Sequence, residues 1–322
     1  MKNLITGGAG FIGSHLSEHL LSKNESVIIL DDFSSGKSMN IDNLSKLKNV
    51  KIVDGSILNQ ELVMSLMSQV NVCYHLAASL GVERINSDPI STFEINVKGS
   101  EIVLNAASKN NVRTFLASSS EIYGKNIQMP LAENSDRVLG SPQVARWSYS
   151  EAKAIDELIS FQLNKNDLFP VTIGRLFNTV GTRQSGQYGM VLPRFINAAL
   201  NNLPLVVYGD GTQTRSFCSV SDVVIAIAGL ISTSKTIGQV YNIGSNAELS
   251  IHTLAKLVLV LTNSKSEILF KDSNKVFGEN FEEPLRRVPD TSKITKEIGW
   301  LPQKEINEII NEIIEFEKNH EI

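Results

Sequence analysis

The chain has 322 residues, 42% of them hydrophobic, and 30 Lys and Arg against 34 Asp and Glu give a formal net charge of −4. That is enough apolar material for one large core or two smaller ones, and it offers no basic face for a nucleic-acid partner. Cys73 and Cys218 lie in apolar contexts, which excludes a disulfide scaffold and suits a reducing compartment.

The first apolar run begins almost at Met1, leaving no room for a signal peptide, and no run reaches the roughly 20 residues of a membrane span. A cytoplasmic globular protein without a membrane partner is expected. In chain order, Lys2–Thr6 reads as a strand, followed by a glycine-rich turn and a helix over Ile12–Leu21. Val27–Leu30 and Lys51–Val53 read as strands, Gln60–Met67 as a helix, and Val72–His75 as a strand. A helix over Ile90–Ala107, a strand over Thr114–Ala117, a helix over Tyr149–Leu163 and a strand over Val171–Arg175 complete the series. Such alternation predicts an α/β fold, a Rossmann-like doubly wound parallel sheet with helices on both faces. After about Phe177 the rhythm loosens. A nucleotide-binding domain over 1–176 and a smaller C-terminal substrate-binding lobe over 177–322 are expected, with segments interleaved between them.

Thr6-Gly-Gly-Ala-Gly-Phe-Ile-Gly13 follows the first strand and opens the first helix. Gly7, Gly10 and Gly13 let backbone approach a pyrophosphate, and the helix N-terminus supplies N–H groups and partial positive charge. Asp31 ends the second strand, where a carboxylate holds both ribose hydroxyls of NAD and repels the 2′-phosphate of NADP. Lys37 is the one cation near that spot, so NAD is the expected cofactor. His15-Leu-Ser-Glu-His19 matches a zinc-peptidase pattern, but this helix starts on a dinucleotide loop and must pack on a sheet. No metal is expected.

Tyr149 and Lys153 are four residues apart and share a helix face. An ammonium beside a phenol lowers the phenol's pKa, and a phenolate so tuned takes a proton from a sugar hydroxyl while hydride leaves the same carbon. Upstream, Ala117-Ser-Ser-Ser-Glu-Ile-Tyr-Gly124 places an acid, Glu121, among hydroxyls at a strand end. Together with the glycine loop, these motifs make the chain resemble the extended short-chain dehydrogenase/reductase family, the NAD-dependent epimerases, dehydratases and decarboxylases of nucleotide-sugar metabolism. TGGAGFIG, DDFSSGK, YHLAA, SSSEIYG and YSEAK carry the resemblance in the first half; GRLFNTVGTR, YGDGTQTRSF and RRVPD carry it in the second.

The resemblance implies a catalytic set of Ser119, Glu121, Tyr149 and Lys153, with Ser119 on the sugar O4, Tyr149 as base, and Lys153 as its tuner and ribose ligand. It implies cofactor contacts from Gly7, Gly10, Phe11, Ile12, Gly13, Asp31, Asp32, Ser34, Ser35, Gly36, Leu76, Ala77 and Ala78. Ser56 and Ile57 would meet the adenine, although many relatives carry Asp in place of Ser56. Asn178, Arg215 and Arg287 would hold the diphosphate or the outer groups of a nucleotide-diphosphate sugar; guanidinium forks match phosphate and carboxylate. Helices around 91–108 and 149–164 would form a homodimer contact.

Glu121 distinguishes reactions within the resemblance. Epimerases usually have a small or apolar residue there, whereas 4,6-dehydratases and UDP-glucuronate decarboxylases carry an acid. As a second acid/base it would remove the C5 proton of a 4-keto-sugar in a dehydratase, or assist CO2 loss and reprotonation in a decarboxylase. The alternative role is an acid paired with a neighbouring cation. A 4-epimerase remains open, as does, more remotely, a catalytically silent NAD-binding regulator.

Overall fold

Seven parallel strands in the order β7-β6-β5-β4-β1-β2-β3 form the central sheet of the computed structural model, which describes residues 1–79, 88–186, 190–272, 275–276 and 282–320. They are β1 (Lys2–Thr6), β2 (Ser26–Asp31), β3 (Val50–Asp54), β4 (Val72–His75), β5 (Arg113–Ser119), β6 (Val171–Leu176) and β7 (Gln239–Ile243). The central strands are near-continuous apolar runs because both faces of a parallel sheet are covered. β2, Ser-Val-Ile-Ile-Leu-Asp, is buried along nearly its whole length.

Helices α1 (Phe11–Ser22), α2 (Gln60–Met67) and α4 (Trp147–Asp167) start within two residues of the expected positions, and α3 (Ser100–Lys109) is the last part of the helix expected over Ile90–Ala107. The helical stretch before α3 begins earlier, at Pro89–Phe93, where Asp88 accepts a hydrogen bond from the Ser91 N–H at 3.1 Å. It runs through a π-helical turn, Glu94–Gly99. That turn brings Asn96 to Ser79, with Oδ1 accepting from the Ser79 N–H at 2.7 Å and Nδ2 donating to the Ser79 carbonyl at 2.9 Å. The loop leaving β4 is thereby clamped.

β7 was not expected from the sequence. It pairs with β6 and completes a sheet whose other six strands come from the first 176 residues. One face of the sheet packs on α1 and on a later helix, α6 (Val220–Ile231); the opposite face packs on α2, α3 and α4. A third apolar cluster gathers α5 (Val191–Leu200), α7 (Ile251–Thr262), α8 (Ile306–Asn319) and the strand Leu205–Tyr208, which pairs with Ile268–Lys271. Strand order reverses at β1, flanked by β2 and β4, which creates the crevice where ligands bind in open α/β sheets.

Candidate active site

Two glycines fix the turn after β1. Gly7 has φ +71°, and a Cβ there would lie 2.8 Å from the Ala77 nitrogen; one on Gly13 would lie 2.2 Å from the Gly7 carbonyl oxygen. α1 then starts with no side-chain cap and no acid in its first turn, so its amides and dipole remain open to an anion. Asp31, only 7% exposed, accepts hydrogen bonds from Ala9 N–H (Oδ2) and Phe33 N–H (Oδ1), both at 2.9 Å. Burial raises its pKa, and those two amides oppose the rise. Close backbone approach, open helix amides and a strand-end carboxylate fit a dinucleotide.

A cavity of about 520 Å³ runs from this loop to the second half of the chain, within the usual size for a small-molecule site. It is lined by Gly7, Gly10, Phe11, Ile12, Gly13, Asp31, Asp32, Ser34, Ser35, Ile57, Leu76, Ala77 and Ala78 on the loop side. Ser119, Glu121, Tyr149 and Lys153 lie between that wall and Asn178, Arg215 and Arg287. Two expected cofactor residues stand off the wall. Gly36 sits close under Asp31, where an added Cβ would come within 2.7 Å of Oδ1. Ser56 accepts a hydrogen bond from Leu58 N–H at 3.2 Å.

Ser119 ends β5 and accepts from the Glu121 N–H at 3.2 Å, and its hydroxyl lies near enough to the Tyr149 phenol to favour the phenolate. Lys153 is 2% exposed and forms an ion pair with Asp156 at 3.1 Å. The phenol's pKa is raised, first by burial and then by Glu121 and Asp156, with Ser119 opposing. The lowering expected from the ammonium is not realised in the protein alone: burial dominates, and the charges of Glu121 and Asp156 add to it.

Glu121 lies among arginines. Arg287 Nη1 donates to its Oε1 at 2.7 Å, and Arg146 Nη2 is 3.5 Å away. Burial would raise the carboxyl's pKa, but the charges of Arg287 and Arg146 outweigh it and hold the value at about 2. Such a carboxylate stays ionised and is a feeble base. Arg287 is 5% exposed, and its Nε and Nη2 are buried with no hydrogen-bond partner among the described residues. Arg215, by contrast, is engaged with Glu283 at 2.6 Å and the Thr214 carbonyl at 2.8 Å. Asn178 donates to the Ser216 carbonyl at 2.9 Å. Arg146, beside Glu121, and Asp156, paired with Lys153, were not singled out from the sequence, although Arg146 stands three residues before Tyr149 and Asp156 three after Lys153. In the other motif, His15 bonds Phe11 O and Thr182 Oγ1, and Glu18 pairs with Arg183. Among the described residues no group of three or more His, Cys, Asp or Glu forms a metal-ligating cluster.

The family model described as GDP-mannose 4,6 dehydratase matches residues 4–313. The chain belongs to that family. This member of the dehydratase family is 40% identical over 314 residues to the UDP-N-acetyl-alpha-D-glucosaminuronate decarboxylase of Bacillus cytotoxicus, covering 97% of this chain and 96% of that one. Among solved structures it is similar to the UDP-glucuronic acid 4-epimerase of Bacillus cereus, with a TM-score of 0.89, 27% identity and 99% coverage of both chains. It is likewise similar to the dTDP-glucose 4,6-dehydratase of Streptomyces venezuelae, with a TM-score of 0.90 at 26% identity over 99% of this chain and 98% of that one. The family member is thus an enzyme of the nucleotide-sugar decarboxylase, dehydratase and epimerase group, as the sequence motifs implied. Among its described residues no helix is long and apolar enough to cross a membrane.

Proposed function

We propose that this enzyme is an NAD-dependent decarboxylase of a UDP-linked uronic acid, with UDP-N-acetylglucosaminuronate the first candidate. The observation that carries the reading is Arg287, a buried guanidinium in the cavity wall with two N–H-bearing nitrogens unpartnered among the described residues and its third nitrogen on Glu121. Unpaired buried donors are costly, and a planar carboxylate is the acceptor that a guanidinium fork fits best. The 40% identity to a glucosaminuronate decarboxylase supports the same substrate class.

The NAD bound in the Bacillus cereus epimerase structure supports NAD as cofactor; when bound, it would supply a hydride acceptor for C4 and a hydride donor for the final reduction. Gly7, Gly10, Gly13 and the start of α1 would hold its pyrophosphate, and Asp31 its ribose. Tyr149 takes the proton of the C4 hydroxyl, with Ser119 holding that oxygen. The resulting C4 ketone is β to the uronate carboxyl, so the C5–C6 bond breaks with its electron pair moving toward the C4 oxygen, and CO2 leaves. Tyr149, now protonated, and Ser119 donate hydrogen bonds to the developing oxyanion. Arg287 orients the departing carboxylate. Glu121, fixed as an anion, repels a second carboxylate brought beside it, and loss of neutral CO2 relieves that repulsion. A proton from solvent then returns to C5.

A 4-epimerase acting on the same uronate is the second reading, favoured by the likeness to the Bacillus cereus enzyme. Incubation with UDP-N-acetylglucosaminuronate, UDP-glucuronate and dTDP-glucose, followed by NMR and mass spectrometry, separates the outcomes. Loss of CO2 is the expected result. An unchanged mass with C4 inverted supports the epimerase, and loss of water from dTDP-glucose alone overturns the uronate reading. We further propose a homodimer through the helices at 89–109 and 147–167, where Ile90, Phe93 and Leu158 remain exposed.

A further inference from the structure

We propose that Asp156 is a positioning residue that holds Lys153 in place and sets how strongly its charge acts on Tyr149, anchored by a buried hydrogen-bond chain back to the strand that carries the glycine loop. The proposal rests on the reading of Tyr149 as the base. Lys153 Nζ donates to Asp156 Oδ2 at 3.1 Å, and the same oxygen is bonded to Ser100 Oγ at 3.1 Å. Ser100 Oγ is 3.0 Å from His75 Nε2, and His75 Nδ1 is 2.7 Å from Thr6 Oγ1. Thr6 Oγ1 also accepts from the Ala77 N–H at 3.3 Å, in the loop that lines the cavity. None of the five side chains is more than 2% exposed.

The direction of this chain follows from its ends. An ionised carboxylate only accepts, so the single proton of Ser100 goes to Asp156. The Ser100 oxygen must then accept from His75, which requires the proton on Nε2 and leaves Nδ1 to accept from Thr6. Every dipole thus converges on Asp156, where burial raises the carboxyl's pKa and the Lys153 charge, with the hydrogen bonds from Lys153 and Ser100, opposes that rise. Thr6 is the last residue of β1, His75 the last of β4, Ser100 the first of α3, and Asp156 lies one helical turn beyond Lys153 on α4. The ammonium on α4 is therefore tied to the strand that enters the glycine loop through two other elements, α3 and β4.

Burial acts most strongly on the phenol, followed by the charges of Glu121, from the turn after β5, and of Asp156, from its own helix; Lys153 stands one turn along that helix, paired with Asp156. Around Asp156 stand Lys153, Glu157 and, through Ser100, His75. Glu157 is itself satisfied by Arg175 and Ser118. His75 stays neutral, its pKa lowered to about 3 by burial and the Lys153 charge. Asp156 is one of the two anions that disfavour the phenolate. Removing its charge while keeping its shape frees the ammonium to act on the phenol.

The test is the pH profile of turnover on the nucleotide sugar that the substrate panel identifies, for the unmodified enzyme and Asp156→Asn. The acidic limb should move down by about one pH unit, because one anion is removed at short range. An unmoved or upward limb overturns the proposal. Tyr149→Phe assayed alongside separates the two failures: retained turnover sinks the base assignment, whereas an inactive Tyr149→Phe with an unmoved Asp156→Asn profile sinks only the role of Asp156. Should Asp156→Asn fail to fold, 15N NMR of histidine-labelled unmodified enzyme decides. His75 should carry its proton on Nε2 and not titrate between about pH 5 and 9; an Nδ1–H tautomer overturns the chain.

Discussion

Glu121 has two guanidinium neighbours, and they decide what a carboxylate there can do. Held ionised to about pH 2 by Arg287 and Arg146 against the burial that opposes them, it has lost the basicity a C5 proton abstraction needs. It retains charge, which suits the expulsion of a neighbouring carboxylate. Glu121→Gln should therefore leave the C4 oxidation intact while CO2 release slows by about 10²-fold; a single-turnover measurement of CO2 against hydride transfer checks this, and equal slowing of both steps would contradict it. The same shift has a stability signature. A carboxyl whose folded pKa is depressed contributes stability above its unfolded value of about 4.3, and that contribution is lost as pH falls toward 2. Acid unfolding of Glu121→Gln should accordingly be shallower over that window, read by thermal melts against pH. At Asp31 the charge and the hydrogen bonds can be separated. Asp31→Asn should narrow the preference for NAD over NADP, since repulsion of a 2′-phosphate goes with the charge. Asn has one acceptor oxygen where Asp31 uses two, so stability should also fall by about 1–2 kcal/mol. Titration with both cofactors and a denaturant melt report the two effects independently.

The first helix, α1, was legible because glycines, apolar period and the strand before it all agree, and its start came out within one residue of the reading. α4 was legible only as a helix. Its buried face carries Ser150, Lys153, Asp156, Glu157 and Ser160, while Leu158 is 58% exposed. A search for apolar positions at helical spacing finds the helix through residues such as Ile159 and Leu163, which do pack on the sheet, but misses the polar side chains buried beside them through hydrogen bonds and ion pairs. β7, Gln-Val-Tyr-Asn-Ile, escaped notice for a different reason: five mixed residues inside a loosened stretch give no alternation long enough to read, and pairing with β6 is a long-range fact. Among the candidate site residues, Tyr149 and Lys153 came from their spacing and Ser119 from the family resemblance, whereas the partnering of Glu121 with Arg287, 166 residues away, is invisible along the chain. The glycine turn allows a sharp test of local geometry. A Cβ on Gly13 would lie 2.2 Å from the Gly7 carbonyl oxygen and 2.7 Å from the Gly8 Cα, both backbone atoms that cannot swing aside. Gly13→Ala should weaken NAD binding by at least about tenfold and cost about 1–3 kcal/mol of stability as the turn shifts; calorimetric titration and denaturant unfolding measure both, and native values for either would mean the turn relaxes freely.

Across the molecule, chemistry and folding divide the chain differently. The glycine loop, Ser119, Tyr149 and Lys153 come from the first 176 residues, while Arg215 and Arg287 come from the remainder, so the cavity closes only when both parts are present. The core is shared more deeply still. The apolar cluster on the α1 face joins Ile5, Leu16, Val27 and Ile29 to Val223, Ile227 and Leu230 of α6, Tyr241 and Ile243 of β7, and Trp300. Trp300 is fixed there by its Nε1–H bond to the Asp222 carbonyl at 2.9 Å, and Asp222 Oδ2 in turn accepts from the backbone N–H groups of Gln303 and Lys304. A fragment ending at residue 176 would lose the edge strand beyond β6 and uncover the sheet face on which α6 packs. Unpaired strand edges and a large exposed apolar patch favour association over folding. Such a fragment should keep helical and strand signals in far-ultraviolet dichroism while losing near-ultraviolet structure and cooperative unfolding, the signature of a state without fixed packing. If it instead melted cooperatively and bound NAD as the whole chain does, the first 176 residues would be a self-sufficient folding unit, and the shared core would contribute to the shape of the cavity alone.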